Sequence, residues 1–125
     1  MHALRNIHRM LVPGGSLLDL QPIPPSPSLH AGGEVLGQLD QSDVWERFAR
    51  TEAGVAAAVG EGLYELENEL EFDIVERFDS KANLIATING RDDWDMTRQL
   101  AARLEGADPP IEGRDHLRLR RFDAR

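Results

Sequence analysis

Apolar and polar residues alternate along two stretches of the chain. The first stretch, residues 63–78, has a glutamate at every second position of its first half, and the apolar side chains between are Tyr64, Leu66, Leu70 and Phe72. The second stretch, residues 111–123, places Leu117 and Leu119 between basic residues, which are Arg114, His116, Arg118 and Arg120. A period of two is typical of strands that bury one face. The pattern therefore predicts strands at 63–78 and 111–123, with the leucines inside and the charged side chains outside.

The two predicted strands carry opposite charges on their outward faces. If they are antiparallel neighbours, the glutamates of the first lie against the arginines of the last, and each favourable pair contributes roughly 0.2 to 1 kcal/mol. Paired catalytic carboxylates need a cleft and two unequal environments, which a solvated row does not offer. We therefore interpret the glutamate row as sheet electrostatics and not as a catalytic site.

Apolar residues that recur three or four positions apart predict four helices. Leu4, Ile7 and Leu11 give the first, at 2–12. A longer stripe that follows the capping residues Asp40 and Ser42 predicts the second, at 42–59. Two shorter stripes predict helices at 80–89 and 94–105.

The turn after the first helix leads into a further predicted strand. Pro13 cannot continue the helix, and Gly14 and Gly15 allow the chain to reverse. Residues 16–21 are predicted to form a strand that is apolar on both sides and needs a neighbour. Residues 21–30 contain four prolines, which predicts a stiff irregular loop. Residues 33–39 are compatible with a short strand or with the edge of a hairpin.

The helix and Pro-Gly-Gly turn at residues 3–15 resemble the segment before the fifth strand of class I S-adenosylmethionine-dependent methyltransferases. The order of the elements that follow is similar to the carboxyl-terminal half of that family, whose last strand lies antiparallel between the fifth and sixth. The resemblance implies an α/β fold, a partial Rossmann-like methyltransferase fold. Its three-stranded mixed sheet is formed by 16–21, 63–78 and 111–123, with helices 2–12, 42–59, 80–89 and 94–105. The chain, residues 1–125, is then one domain, the carboxyl-terminal half of a methyltransferase-like domain.

The resemblance also implies an activity and a candidate pocket. The family transfers a methyl group from S-adenosylmethionine to an acceptor, mostly by positioning the two molecules. Here the acceptor is expected to be a small molecule, and the candidate substrate-binding residues are Gln21, His30, Trp45 and Phe48. Each has an ordinary alternative, a loop connector for the first two and core packing for the two aromatic residues. No catalytic residue is assigned.

The cofactor-binding half of the family has no counterpart in this sequence. A site of this class needs a glycine loop that leaves a strand and enters a helix, with an acidic residue roughly 20 positions further on. The pairs Gly14-Gly15, Gly32-Gly33 and Gly60 with Gly62 all lie in other contexts. We therefore expect that the chain starts inside a larger fold, binds no S-adenosylmethionine by itself and is inactive alone.

Composition narrows the remaining classes of function. A net charge of −8 disfavours contact with nucleic-acid phosphates. The sequence contains no cysteine, which excludes disulfides and cysteine chemistry, and its histidines lack metal-ligand spacing. No apolar run approaches the roughly 20 residues that a membrane span needs, so a cytoplasmic protein without metal or membrane contact is expected.

A second interpretation belongs to a different class. The chain is then a small non-enzymatic α+β interaction module that covers its open sheet edge with a partner. That partner is a second copy, which gives a homodimer, or a complementing subunit.

Overall fold

The computed structural model describes residues 2–91 and 94–125 and has an α/β architecture. The helices are α1 (His2–Met10), α2 (Ser42–Gly60), α3 (Lys81–Asn89) and α4 (Arg98–Glu105). The strands are β1 (Ser16–Pro22), β2 (Ser28–Ala31), β3 (Glu34–Gln38), β4 (Tyr64–Phe78) and β5 (Ile111–Ala124). Each of the four predicted helices is present, and so are the three predicted strands.

The five strands form one antiparallel sheet in which β5 is the central strand. Along one edge, β5 pairs with β1 and with β2, and β3 adds to β2. Along the other edge, β5 pairs with β4. The prediction that 63–78 and 111–123 are antiparallel neighbours is confirmed by cross-strand pairs, among them Arg118 with Glu69 at 3.7 Å and Arg125 with Glu65.

The predicted three-stranded mixed sheet is not confirmed, because a hairpin adds two strands. Ser28–Ala31, predicted to be irregular, pairs with both β3 and β5, which satisfies its backbone groups on two sides. Gly32 and Gly33 connect β2 to β3 with φ values of 57° and 82°, as a two-residue hairpin turn requires. The segment 33–39 is therefore a hairpin strand.

The fourth predicted helix starts later than its pattern indicated. Residues 94–97 lie outside α4 because Asp95 forms backbone hydrogen bonds with Asp40, at 2.7 and 3.2 Å. Thr97 is the N-cap, and its side chain accepts a hydrogen bond from the Leu100 N–H at 3.1 Å. The backbone bridge to the distant residue Asp40 thus moves the start of the helix from the predicted residue 94 to Arg98, four positions later.

The chain divides into two compact units. The first contains the described residues up to Gln21, then Trp45–Glu71 and Arg118–Arg125. Its small core is formed by Ala58, Tyr64, Phe122 and Ala124, and the Tyr64 hydroxyl donates a hydrogen bond to the Leu4 carbonyl oxygen at 2.7 Å. The core therefore joins α2, β4 and β5, and the hydrogen bond ties α1 to β4.

The second unit contains Pro22–Val44 and Phe72–Leu117. Its core is larger and is formed by Leu29, Leu36, Leu39, Phe78, Leu84, Ile88, Trp94, Leu100, Leu104 and Ile111. Leu29, Leu84 and Ile111 have no exposed surface. The hairpin and the two short helices α3 and α4 therefore share one apolar interior.

Two expectations about the alternating strands are wrong. Leu66 and Leu70, expected inside, are 43% and 57% exposed on a strand that lies at the sheet edge. Arg120, expected outside, is only 7% exposed, because its face of β5 is covered by α2. The alternation of apolar and polar residues shows which side chains share a face of a strand, but it does not show which of the two faces a helix covers.

Candidate functional site

A buried charged cluster surrounds one of the predicted site residues in the first unit. Gln21 is buried, and its side-chain nitrogen donates a hydrogen bond to Asp19 at 2.9 Å. The Arg120 guanidinium donates to the same Asp19 oxygen at 2.7 and 3.0 Å. Arg120 also donates to Glu52 of α2. Gln21 therefore holds a carboxylate in place inside the fold.

The charges of this cluster compensate one another. Burial lowers the pKa of Arg120, but hydrogen bonds and charge from Glu52 and Asp19 outweigh this effect and raise the pKa above its ordinary value. Arg120 is therefore a cation at neutral pH. It joins β5 to β1 and α2, and it is a structural residue that sequence reasoning placed on the wrong face.

The aromatic pair on α2 is partly buried. The ring centroids of Trp45 and Phe48 lie 6.4 Å apart with an interplanar angle of 50°. The two residues are in the first unit with Gln21, whereas His30 belongs to the second unit. The four predicted residues are thus distributed over both units.

His30 lines a depression on the solvent side of the hairpin, which we call the His30 depression. It has a volume of about 540 Å³ and is lined by His30, Gly32, Gly33, Val35, Pro110, Glu112 and Arg114. The His30 Nε2 lies 2.7 Å from the Ser28 hydroxyl oxygen, since both side chains project from the same face of β2. An imidazole beside a hydroxyl can move a proton to or from a bound molecule.

A second depression, of about 210 Å³, contains residues that sequence reasoning did not select. Arg91 lies over the ring of Trp94, 3.9 Å from its centroid, and its guanidinium is 4.0 Å from Asp115. The Trp94 indole is buried against Gly113, where any side chain on the strand would touch it. In the sequence, a tryptophan beside a turn was the only feature that pointed to this contact of Arg91 with Trp94 and Asp115.

The residues described do not fit S-adenosylmethionine in the way that the family resemblance implies. Two turns lead from a strand into a helix, and neither contains a glycine: Leu39–Gln41 before α2 and Asp79-Ser80 before α3. Ser80 accepts a hydrogen bond from the Asn83 N–H at 3.1 Å, and Asp40 accepts one from the Ser42 N–H at 2.9 Å. Both helix starts are therefore capped by their own side chains.

Within residues 2–91 and 94–125, no group of three or more histidine, aspartate and glutamate side chains could hold a metal ion. None of the helices in those ranges is long and apolar enough to cross a membrane.

Comparison with known proteins gives no relative. No family model, curated protein or solved structure matches the chain.

Proposed function

We propose that the chain is the carboxyl-terminal portion of an S-adenosylmethionine-dependent methyltransferase, which shapes the pocket for a small-molecule methyl acceptor and is inactive alone. The observation that carries the proposal is the strand order β1, β5, β4. In the family the last strand lies antiparallel between the fifth and sixth, and the turn at Pro13, Gly14 and Gly15 resembles the one before the fifth. The proposal of a Rossmann-like half is supported by this strand order together with the sequence motif.

The uncovered flank of β1 gives independent support. β1 pairs with β5 and with no other strand in the described ranges, and Leu18 and Leu20 are 65% and 60% exposed. A strand inside a wound sheet has neighbours on both edges and helices on both faces. The open flank is where the half that binds S-adenosylmethionine would pack.

In this proposal the His30 depression is the part of the acceptor pocket that this chain supplies. It combines apolar and polar lining residues beside the β2–β3 hairpin, as pockets for small molecules do. Val35 and Pro110 provide apolar walls, whereas His30 and Arg114 provide polar groups. These residues would orient the acceptor, and His30 would accept its proton as the methyl group is transferred.

The test begins with the coding sequence upstream of and in frame with Met1. We expect it to encode a strand, a glycine loop and an acidic residue. The longer polypeptide should bind S-adenosylmethionine in isothermal titration calorimetry, whereas the 125-residue chain should not. His30→Ala in the longer polypeptide should lower methyl transfer and leave cofactor affinity unchanged. Tight binding of S-adenosylmethionine by the short chain, or the absence of a complementing segment in this gene and its neighbours, would contradict the proposal.

A further inference from the structure

The backbone of β1 presents unpaired hydrogen-bonding groups along its outer edge. The Gly15 carbonyl oxygen accepts a hydrogen bond from the Ala124 N–H at 2.8 Å, and the Ile23 N–H donates to His116 at 3.0 Å. Both are odd-numbered positions, and the backbone groups of alternate residues point to opposite edges of a strand. The N–H and C=O groups of Ser16, Leu18 and Leu20 therefore point away from β5, toward the open edge.

The side chains that β1 exposes beside this edge, Ser16, Leu18 and Leu20, are uncharged. Leu18 and Leu20 project from the same face of β1, and Met10 and Val12, which precede the strand in the sequence, are 84% and 71% exposed. Asp19, the single charged residue of β1, projects to the opposite face and is bound by Arg120. An exposed strand edge without charged residues is a site for pairing with another strand.

The open edge of β4, by contrast, is protected against self-pairing. β4 pairs with β5 and with no other described strand, and its first half has a glutamate at every second position. Antiparallel pairing of two such strands would place like charges next to each other, which is unfavourable. Charge thus distinguishes β1 from β4: like charges oppose self-pairing of β4, and the open edge of β1 has no such charge.

We propose that β1 of one copy pairs antiparallel with β1 of a second copy, about a twofold axis at Leu18. In this register Leu18 lies opposite its own copy and Leu20 lies opposite Ser16. The N–H groups of Ser16, Leu18 and Leu20 in each strand then find carbonyl acceptors across the axis. Asp19 lies opposite Leu17, so no carboxylate faces its own copy.

The partner is therefore a second copy of this chain, and the proposed methyltransferase role is not required for the pairing. A complementing half would compete for the same edge. Because one strand pair and a few leucines bury less than the roughly 1,000 Å² of a stable interface, the dimer is expected to be weak, with a Kd on the order of 100 μM.

Sedimentation velocity over chain concentrations from about 5 μM to about 1 mM tests the pairing, since the range brackets the expected Kd. We expect the mass to rise from 14.0 kDa toward twice that value. Leu18→Pro removes an N–H that faces the open edge and no hydrogen bond to β5, so it should keep the chain monomeric. Leu18→Lys should also keep the chain monomeric, because it places two positive charges opposite each other across the axis. If the proline variant is unfolded, the lysine variant tests the pairing in its place. Leu66→Lys on β4 is the matched control and should dimerise normally.

A chain that stays monomeric at the highest concentration would overturn the inference and leave the β1 edge to a different partner. Dimerisation that survives both Leu18 variants, or that Leu66→Lys abolishes, would overturn it too. None of these results bears on whether the longer polypeptide binds S-adenosylmethionine. The dimer proposal can therefore be refuted without refuting the methyltransferase proposal, and the reverse also holds.

Discussion

Replacing Arg120 by methionine should destabilise the fold far more than replacing its neighbour Arg121. The methionine keeps much of the aliphatic length of Arg120 but removes the guanidinium that Asp19 and Glu52 share. Asp19 then keeps Gln21 as its remaining side-chain donor. Because the Asp19 side chain is only 19% exposed, its carboxylate is left poorly compensated.

The size of the effect follows from the burial of each partner. Removing one member of a fully buried ion pair costs roughly 3 to 5 kcal/mol. The environment of Asp19 is partly open and Glu52 can turn toward water, so we expect about 3 kcal/mol at neutral pH. Arg121 is half exposed and lies 3.4 Å from Asp123, and such a surface pair contributes about 0 to 1 kcal/mol.

Urea unfolding of wild type, Arg120→Met and Arg121→Met, followed by helical circular dichroism, measures these differences. Adding Asp19→Asn to each background completes a double-mutant cycle, in which the coupling of Asp19 with Arg120 should exceed about 1 kcal/mol. Equal losses for the two arginine variants, or a coupling near zero, would refute the view that the buried cluster holds α2 and β1 to β5.

Two further predictions concern turns. Gly15→Ala should lower the free energy of unfolding by about 1 to 3 kcal/mol, because the added Cβ would lie 2.9 Å from the Val12 carbonyl oxygen, which accepts a hydrogen bond from the Gly15 N–H. Thermal unfolding measures this loss, and a free energy of unfolding within about 0.5 kcal/mol of wild type would contradict the prediction. Hydrogen bonds from the Ser42 backbone and hydroxyl lower the pKa of Asp40, so its stabilising effect is present above its unfolded pKa and is lost as pH falls through the lower folded value. The stability difference between wild type and Asp40→Ala should therefore shrink between neutral and acidic pH, and a constant difference would contradict it.

Local patterns were sufficient to predict most of the secondary structure. The period-two stretches gave β4 and β5, and their opposite charges predicted that they are neighbours. The two hairpin strands were harder, because the prolines before Ser28 predicted irregular structure. The Gly32-Gly33 pair was a usable signal for that hairpin, since a glycine pair between short apolar runs favours a two-residue turn.

Interactions between distant segments could not be predicted in this way. The start of α4 depends on a backbone bridge between Asp40 and Asp95, and the burial of Arg120 depends on Glu52 of α2. The same limit applies to the candidate site. His30 was selected from its position, but its partner Ser28 was not, although residues two apart on a strand share a face.

β1 has one paired edge and one open edge, and both proposals depend on this difference. Amide hydrogen exchange measured by NMR on a dilute, monomeric sample tests this residue by residue. The N–H groups of Leu17 and Asp19, which face β5, should exchange slowly, whereas those of Leu18 and Leu20 should exchange rapidly. Equal protection at all four positions in the monomer would contradict the claim.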